Sequence, residues 1–245
     1  MSAGGEKETT VAQEPRRVLV VAAHPDDIDV NAGGTLRRWA VAGDEIAYLI
    51  VTSGDAGQFD GAPRGDVMTA RRAEQRAAAD ITGVHDVRFL DGYRDGDVQA
   101  CTELVKDIVR VIRQVRPHVV MTLSPERRWD RPSQYHPDHL AVGEATVRAV
   151  YPAAGNPHAF PDLSQESLRE WDIDELWIQD PPHPNHAEDV SDVVADKYAA
   201  VLAHNSQFPR SDEAENALSE RMRRDAVSFG LPDGALAELF LRVSL

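Results

Sequence analysis

The sequence has little cysteine and no apolar run of membrane-spanning length. Its single cysteine, Cys101, excludes an internal disulfide bond. The predicted helical setting of Cys101 favours a small apolar filler over a catalytic thiol. No apolar stretch approaches the roughly 20 residues that are needed to cross a bilayer, and the polar N-terminus lacks the basic start and apolar run of a secretory signal. We therefore expect a cytoplasmic protein that does not associate with membranes.

Basic residues are also scarce. The chain has 26 lysine and arginine residues against 41 aspartate and glutamate residues, which gives a formal net charge of -15. This balance opposes nucleic-acid binding, because neutralising phosphates needs a basic face. The arginines are spread along predicted helices and form no basic tract. We expect a small-molecule partner, and the sequence leaves a homo-oligomer open.

Two common enzyme motifs are absent. No Gly-x-Ser-x-Gly elbow is present, so the serines suggest no Ser-His-Asp arrangement. The pair Gly33 and Gly34 opens no Gly-x-Gly-x-x-Gly motif, and the first predicted strand leads into HPDD instead. The sequence therefore indicates neither a serine hydrolase nor a dinucleotide-binding protein.

The 245 residues suit one α/β domain with a buried core. We expect residues 1–15 to form a flexible tail and residues 16–245 to form a single domain. Apolar, β-branched segments alternate with segments of helical periodicity. The predicted strands are 17–23, 45–52, 86–90 and 118–123, and the predicted helices are 31–41, 66–82 and about 100–115. This alternation predicts a Rossmann-like three-layer sandwich with a mostly parallel central sheet.

Each of the four predicted strands is followed by a polar segment, namely HPDD, SGDAG, DGYRDGD and SPERRWD. In open α/β sheets, ligands bind beyond the carboxyl ends of the strands. Four polar loops at one rim predict a functional site there.

Two short motifs contain candidate metal ligands three residues apart. His24 and Asp27 belong to HPDD, whereas His136 and His139 belong to HPDH, which opens a helical pattern. In the first turn of a helix, this spacing points both side chains to one side. Imidazole and carboxylate bind Zn²⁺, and catalytic zinc takes three protein ligands and a water. Solvent-exposed turns have similar spacing, but the position after buried strands favours a zinc site formed by His24, Asp27 and His139.

A hydrolytic site also needs groups that move protons. Asp26 lies beside Asp27 and is the candidate general base. His136 is the candidate for stabilising the oxyanion and protonating the leaving amine, and Asp138 is the candidate for orienting an imidazole. Each polar residue of the two motifs thus has a predicted role.

Several other polar residues have two interpretations. Trp129 either stacks on a sugar ring or packs against the protein. His183 and His186 form a second H-x-x-H, which a loop at a strand end explains more simply than a metal site. His204 either supports the metal loop, which is the HPDD segment of residues 24–27, as a donor or serves as a cap or core residue.

These motifs resemble the LmbE-like, or PIG-L, family of zinc deacetylases. The resemblance begins with VLVVAAHPDDIDVNAGGTL, continues through RRAEQRAAADITGV and YHPDHLAVGEA, and ends with DVSDVVADKYAAVLAHNSQF. It implies removal of acetyl groups from N-acetylglucosamine units. By position it implies that His24, Asp27 and His139 bind zinc, that Asp26 is the general base, and that His136 polarises the carbonyl or acts as the acid.

The resemblance reaches further residues. Arg71 falls where the family has a substrate-binding arginine, and Asp95 falls where an acidic loop residue faces the sugar. Two positions depart from the pattern. Ile28 follows HPDD, where many members have an acidic residue, and Tyr135 stands one residue later than the tyrosine of some deacetylases.

Three functions follow as hypotheses. The first is metal-dependent hydrolysis of the acetamide of an N-acetylated amino sugar. The second is an amidase that acts on a larger thiol–sugar or natural-product conjugate with the same catalytic atoms. The third is a catalytically silent binding module. Zn²⁺ is the expected cofactor, and Fe²⁺ and Co²⁺ accept similar ligands.

Overall fold

The structure, a computed structural model, describes residues 14–57, 62–129, 135–209 and 211–245. Most of the predicted tail, residues 1–13, lies outside the described residues. The described strands are β1 (Arg17–Ala22), β2 (Glu45–Ile50), β3 (Asp86–Phe89), β4 (Val119–Leu123), β5 (Glu175–Gln179), β6 (His186–Asp189) and β7 (Ala237–Ser244). The described α-helices are α1 (Asp27–Val41), α2 (Arg64–Thr82), α3 (Thr102–Val115), α4 (Pro137–Arg148), α5 (Pro161–Gln165), α6 (Val194–Leu202) and α7 (Ser211–Ser228).

The described strands form one seven-stranded sheet in the order β3-β2-β1-β4-β5-β7-β6. The first five in this order pair in parallel. Strand β7 pairs antiparallel with β5 and with β6. The predicted α/β fold with a mostly parallel sheet is therefore confirmed.

Strand β1 is buried on both faces, as its continuous apolar run predicts. Leu19 and Val21 pack into one hydrophobic cluster together with residues of α3 and α4. Val18 and Val20 pack into a second cluster with residues of α1 and α2. The two clusters hold helices against opposite faces of the sheet.

The strand order reverses at β1 and β4. From β1 the chain moves outward through β2 to β3, and it then returns to place β4 on the other side of β1. Loops that leave neighbouring strands in opposite directions open a crevice at such a point. The HPDD loop leaves β1 here, and the segment that leads to HPDH leaves β4.

Helix α1 begins earlier than the sequence analysis predicts. It starts at Asp27, inside the segment expected to be a polar loop, and not at Asn31. Asp27 and Asp29 lie in its first turn, where the positive end of the helix dipole stabilises negatively charged side chains. The early start places Asp27 on a rigid element. Similarly, α3 starts at Thr102, so Cys101 precedes that helix and does not lie within it.

A buried ion pair joins the C-terminal elements to α1. Lys197 Nζ in α6 lies 2.5 Å from Glu238 Oε1 in β7. Lys197 also donates to Val30 O at 2.9 Å, and Glu238 accepts from Gly34 N at 2.9 Å. A Cβ at Gly34 would lie 2.7 Å from Val190, so this close approach requires glycine. The pair therefore fixes α1, and with it the metal loop, against the C-terminal half of the chain.

Among the described helices, the structure contains none that is long and apolar enough to span a membrane.

Candidate metal centre

The loop between β1 and α1 folds back onto its own aspartate. Asp27 Oδ2 accepts hydrogen bonds from the backbone N–H groups of Ala23 at 3.1 Å and His24 at 2.8 Å. Asp26 has a φ of 97°, a value that residues other than glycine rarely adopt. This tight turn brings His24 Nδ1 to 3.5 Å from Asp27 Oδ2.

His139, in the first turn of α4, completes a cluster with His24 and Asp27. Its Nε2 atom lies 3.2 Å from His24 Nδ1 and 3.0 Å from Asp27 Oδ1. Two atoms that bind one tetrahedral ion at about 2.1 Å lie about 3.4 Å apart. The cluster therefore has the donor types and the spacing of a three-ligand site, and it could hold a divalent ion.

The protonation of this cluster depends on its buried neighbours. Burial alone would raise the pKa of Asp27, but His139 and His24 hold it well below its usual range. Burial alone would lower the pKa of His24, but hydrogen bonds to Asp138 and Asp27 raise it well above its usual range. The same carboxylates that favour a positive charge on His24 would favour a cation in contact with it.

The second nitrogen of His24 faces two carboxylates. His24 Nε2 lies 3.2 Å from Asp138 Oδ2 and 3.1 Å from Asp95 Oδ1. Backbone N–H groups of Gly96 and Val98 donate to Asp138 at 2.7 and 3.1 Å and hold it in place. A hydrogen on Nε2 leaves the Nδ1 lone pair free for a metal ion. Asp138, predicted to orient an imidazole, thus contacts the imidazole of His24.

Asp95, which the resemblance predicts to face the sugar, is buried beside His24. Its Oδ2 atom accepts from Ala56 N at 2.9 Å while Oδ1 contacts His24. Hydrogen bonding to His24 outweighs burial and lowers the pKa of Asp95 to about 2. A second group of possible metal ligands lies beside the first. Its ligand atoms are within 4.8 Å of one another and belong to His24, Asp95, His136 and Asp138. In that group both oxygens of Asp138 accept backbone hydrogen bonds, whereas Oδ1 of Asp27 accepts none, so the group on the Nδ1 side of His24 is the better candidate for a metal site.

The candidate base Asp26 lies beside the cluster. Its Oδ2 atom is 3.3 Å from Arg71 Nη2, and its backbone N–H donates to Gln75 Oε1 at 3.0 Å. Burial and the negative charge of Asp27 raise the pKa of Asp26 to about 6 against the opposing effect of Arg71. A carboxyl group whose pKa lies near neutrality suits a proton acceptor.

Arg71 is buried beneath the loops that contain Pro25 and Gly54. Its side chain is 3% exposed and donates to Gly54 O at 2.9 Å and Pro25 O at 2.7 Å. A Cβ at Gly54 or Gly57 would lie 2.2 or 2.4 Å from Arg71 Nη1, so the glycines of SGDAG let the loop wrap the guanidinium. Arg71 therefore supports Pro25 and Asp26, and its contact with a substrate stays a prediction.

His136 caps helix α4. Its Nδ1 atom accepts the backbone N–H of Asp138 at 3.3 Å, so the neutral ring carries its proton on Nε2. Burial and the positive charge of His24 lower the pKa of His136. The ring is half-exposed and lies 4.7 Å from that of His24 and 5.7 Å from that of His139. His136 is therefore a neutral donor at the rim of the cluster.

The remaining sequence candidates lie at different places. Trp129 is 80% exposed, and Arg127 is stacked 5.8 Å from its ring centre. Tyr135 donates to Asp180 O at 2.7 Å. His186 lies in β6, 2.8 Å from Glu188 Oε1, and neither it nor His183 belongs to a metal-ligating group among the described residues.

A chain of buried hydrogen bonds connects the HPDD loop to α2, α1 and His204. Gln75 Nε2 donates to Asp29 Oδ2 at 2.8 Å, and His204 Nε2 lies 2.9 Å from the same oxygen. His204 is fully buried and reaches the HPDD segment only through Asp29 and Gln75, so both of its predicted roles stay open. Gln75 was not among the predicted site residues, although it is a polar residue four positions after Arg71 on the same face of α2.

A cavity of about 520 Å³ opens beside the cluster. Asp26, Asp27 and His139 line one part of it, and Ser124 and Gln179 line another part at the ends of β4 and β5. Helix α7, which the sequence analysis did not foresee, covers a further side. The volume lies within the usual range of small-molecule sites. The cluster is therefore open to a small substrate.

The protein is thus an α/β protein with a candidate metal site, formed by His24, Asp27 and His139, at the point where the strand order reverses. Residues 19–150 match the family model PIG-L, described as GlcNAc-PI de-N-acetylase. The chain belongs to this family, so the predicted membership is confirmed.

Individual relatives agree with this membership. The chain is 34% identical over 195 residues to the diacetylchitobiose deacetylase of Thermococcus kodakarensis, covering 79% of this chain and 71% of the relative. It is 35% identical over 178 residues to the 1D-myo-inositol 2-acetamido-2-deoxy-alpha-D-glucopyranoside deacetylase of Rhodococcus erythropolis. That match covers 60% of this chain and only 59% of the relative's length.

A solved structure shows the same fold. The N,N'-diacetylchitobiose deacetylase of Pyrococcus horikoshii superposes with a TM-score of 0.86 at 24% identity. The superposition covers 94% of this chain and 85% of that chain.

Proposed function

We propose that the protein is a metal-dependent deacetylase that hydrolyses the acetamide of an N-acetylglucosamine derivative. The observation that carries the proposal is the His24, Asp27 and His139 cluster, which lies beside Asp26 and lines a cavity of about 520 Å³. Family membership and the names of the relatives support the same reaction. We propose Zn²⁺ as the ion, because two imidazoles and a carboxylate suit it; Fe²⁺ and Co²⁺ accept the same ligands.

Water must be deprotonated before it attacks the amide carbon. A bound divalent ion polarises a carbonyl and lowers the pKa of water. Asp26 is the group that accepts the proton, since it lines the cavity next to Asp27 and has a pKa near neutrality. Its contacts with Arg71 and Gln75 hold it in place for this task.

The amine must be protonated as the C–N bond breaks. The proton is the one that Asp26 takes from water. Neutral His136, whose Nδ1 accepts a backbone hydrogen bond and whose Nε2 therefore carries hydrogen, donates a hydrogen bond to the oxygen of the attacked carbonyl as that oxygen gains negative charge. Asp138 and Asp95 hold the His24 ring, so we assign them a positioning role. The products are acetate and the free amino sugar.

We also propose that residues 16–245 act as one catalytic domain in three layers. The support for this is that separate hydrophobic clusters lie on the two faces of the sheet and that Asp29 of α1 contacts Gln75 from the N-terminal half and His204 from the C-terminal half of the chain.

Acetate release tests the proposed function. Purified protein would be incubated with N-acetylglucosamine and N,N'-diacetylchitobiose, with and without a chelator and added Zn²⁺. We expect acetate and free amine in equal amounts, loss of both with the chelator, and their return with the metal. Metal-replete protein that releases no acetate from any N-acetylated sugar would contradict the proposal.

A further inference from the structure

The cavity contains a buried amide without hydrogen-bond partners. Gln179, the last residue of β5, lines the same cavity as the metal cluster and is 1% exposed. Neither its Nε2 nor its Oε1 atom has a hydrogen-bond partner among the described residues. An unsatisfied buried polar group destabilises the folded state. An amide retained at that cost beside a functional cavity points to a ligand that completes its hydrogen bonds.

The position of Gln179 shows which part of a substrate it can meet. In the sheet, β4 separates β5 from β1, and Leu123 in β4 pairs with Gln179. Two strand spacings, or about 10 Å, therefore separate Gln179 from the strand that leads into the metal loop. One pyranose ring is shorter than that. A ligand whose acetamide lies at the metal cluster would reach Gln179 with a second group attached to the sugar.

The chemistry of Gln179 favours hydroxyl groups. An amide offers both a donor and an acceptor, and hydroxyls can serve both. A carboxylate would leave Oε1 without a donor. Sugars and cyclitols present the required hydroxyls.

The surrounding charges also favour a neutral group. Asp180 and Glu220 line the cavity together with Arg221 and Arg224. Arg128 lies 3.3 Å from Asp180 and Asp225 lies 3.7 Å from Arg221, so three formal charges of each sign meet at this end and balance. The Arg221 guanidinium is already engaged, since it donates to Asn31 Oδ1 at 3.1 Å and lies 3.5 Å from Asp180. No net positive charge remains at this end to attract an anion.

We infer that Gln179 forms a subsite for a neutral polyhydroxylated ring, a second sugar or a cyclitol, that is joined to the acetamido sugar. This inference rests on the proposed function, because it takes the acetamide to lie at the metal cluster. It assigns Gln179 to substrate selection and not to the chemical step.

The substitution Gln179→Met tests the subsite, because methionine keeps the size and removes both hydrogen-bonding atoms. For N,N'-diacetylchitobiose, we expect kcat/KM of the metal-loaded enzyme to fall about tenfold, mainly through KM. For N-acetylglucosamine, we expect a change of less than about twofold, because this smaller substrate does not reach Gln179. Equal losses for both substrates, or no loss for either, would overturn the inference.

Thr122→Val is the matched control. Thr122 lies in neighbouring β4, is fully buried, and also has a side-chain oxygen without a described partner, but it does not line the cavity. We expect this variant to leave both substrates unaffected. Thermal melting adds a readout for a purely structural role. A functional amide predicts that Gln179→Met melts no lower than the unaltered protein, whereas a structural amide predicts a lower Tm.

Two further measurements separate this inference from the proposed function. Binding of N,N'-diacetylchitobiose is compared between Asp26→Asn and Asp26→Asn/Gln179→Met by calorimetry. We expect a Kd about tenfold weaker in the double variant, and this comparison stands even if the unaltered protein releases no acetate. An N-acetylglucosaminide with a carboxylate-bearing aglycone tests the charge argument. Its faster turnover than that of the disaccharide would overturn a neutral subsite.

Discussion

Gln75 Oε1 accepts a hydrogen bond of 3.0 Å from the backbone N–H of Asp26, the residue with a φ of 97°. The same side chain donates to Asp29 at 2.8 Å, so one glutamine from α2 links two residues that flank Asp27. A residue held in a sparsely populated region of φ/ψ space persists only when its surroundings determine it. Gln75 therefore positions the candidate base.

Gln75→Met should lower kcat while the metal remains bound. The variant removes both hydrogen bonds but leaves His24, Asp27 and His139 unchanged, so we expect a loss of about tenfold or more in kcat. Steady-state kinetics and metal analysis measure the two effects. Gln114→Met is the control, because Gln114 is an exposed residue of α3 whose side chain accepts a hydrogen bond from Arg88. A fall in metal content equal to the fall in kcat would instead assign Gln75 to ligand support.

His139→Ala should remove the metal and its stabilising effect. Loss of one of three ligands weakens binding, and a ligand that binds only the folded state raises Tm in proportion to the free energy of binding. We expect less than one metal ion per chain by elemental analysis and no fall in Tm upon chelation. His186→Ala is the control, since this histidine contacts Glu188 outside the metal-ligating groups. Full metal content in His139→Ala would exclude His139 as a ligand.

Asp26→Asn should abolish turnover but keep the metal. The amide has nearly the same shape as the carboxyl group but cannot accept a proton from water, so we expect kcat to fall by about 10²–10⁴-fold. Acetate release and metal analysis check both expectations. Asp66→Asn, an exposed position in the first turn of α2, serves as the control. Near-normal turnover by Asp26→Asn would remove Asp26 from the reaction.

Lys197→Met should destabilise the fold strongly. The substitution leaves the buried carboxylate of Glu238 without its cation, and breaking a buried pair in this way costs about 3–5 kcal/mol. Urea unfolding measures the change. Lys106→Met provides the comparison, because its pair with Asp162 is exposed to solvent and should contribute far less to stability. Similar losses in the two variants would contradict the role assigned to the buried pair.

Local sequence patterns were enough to predict the frame of the site. The apolar run of β1 predicts a strand buried on both faces, because only such a strand lacks polar positions. HPDD directly after this strand and HPDH at the start of a helix then identify His24, Asp27 and His139 as candidate ligands by short-range patterns. Such features depend on residues within a few positions of one another, and the sequence displays them directly.

Long-range packing determined what surrounds those residues. Arg71 matches a substrate-binding position in the sequence, but the glycines at 54 and 57 let a distant loop cover it. Gln75 and His204 meet at Asp29 although 129 positions separate them, and their shared contact has no local signature. In the sequence alone, Gln179 is one polar residue at the end of a strand. Only the sheet order and α7 turn it into part of a cavity wall, because burial and the lack of a partner arise from side chains distant in sequence.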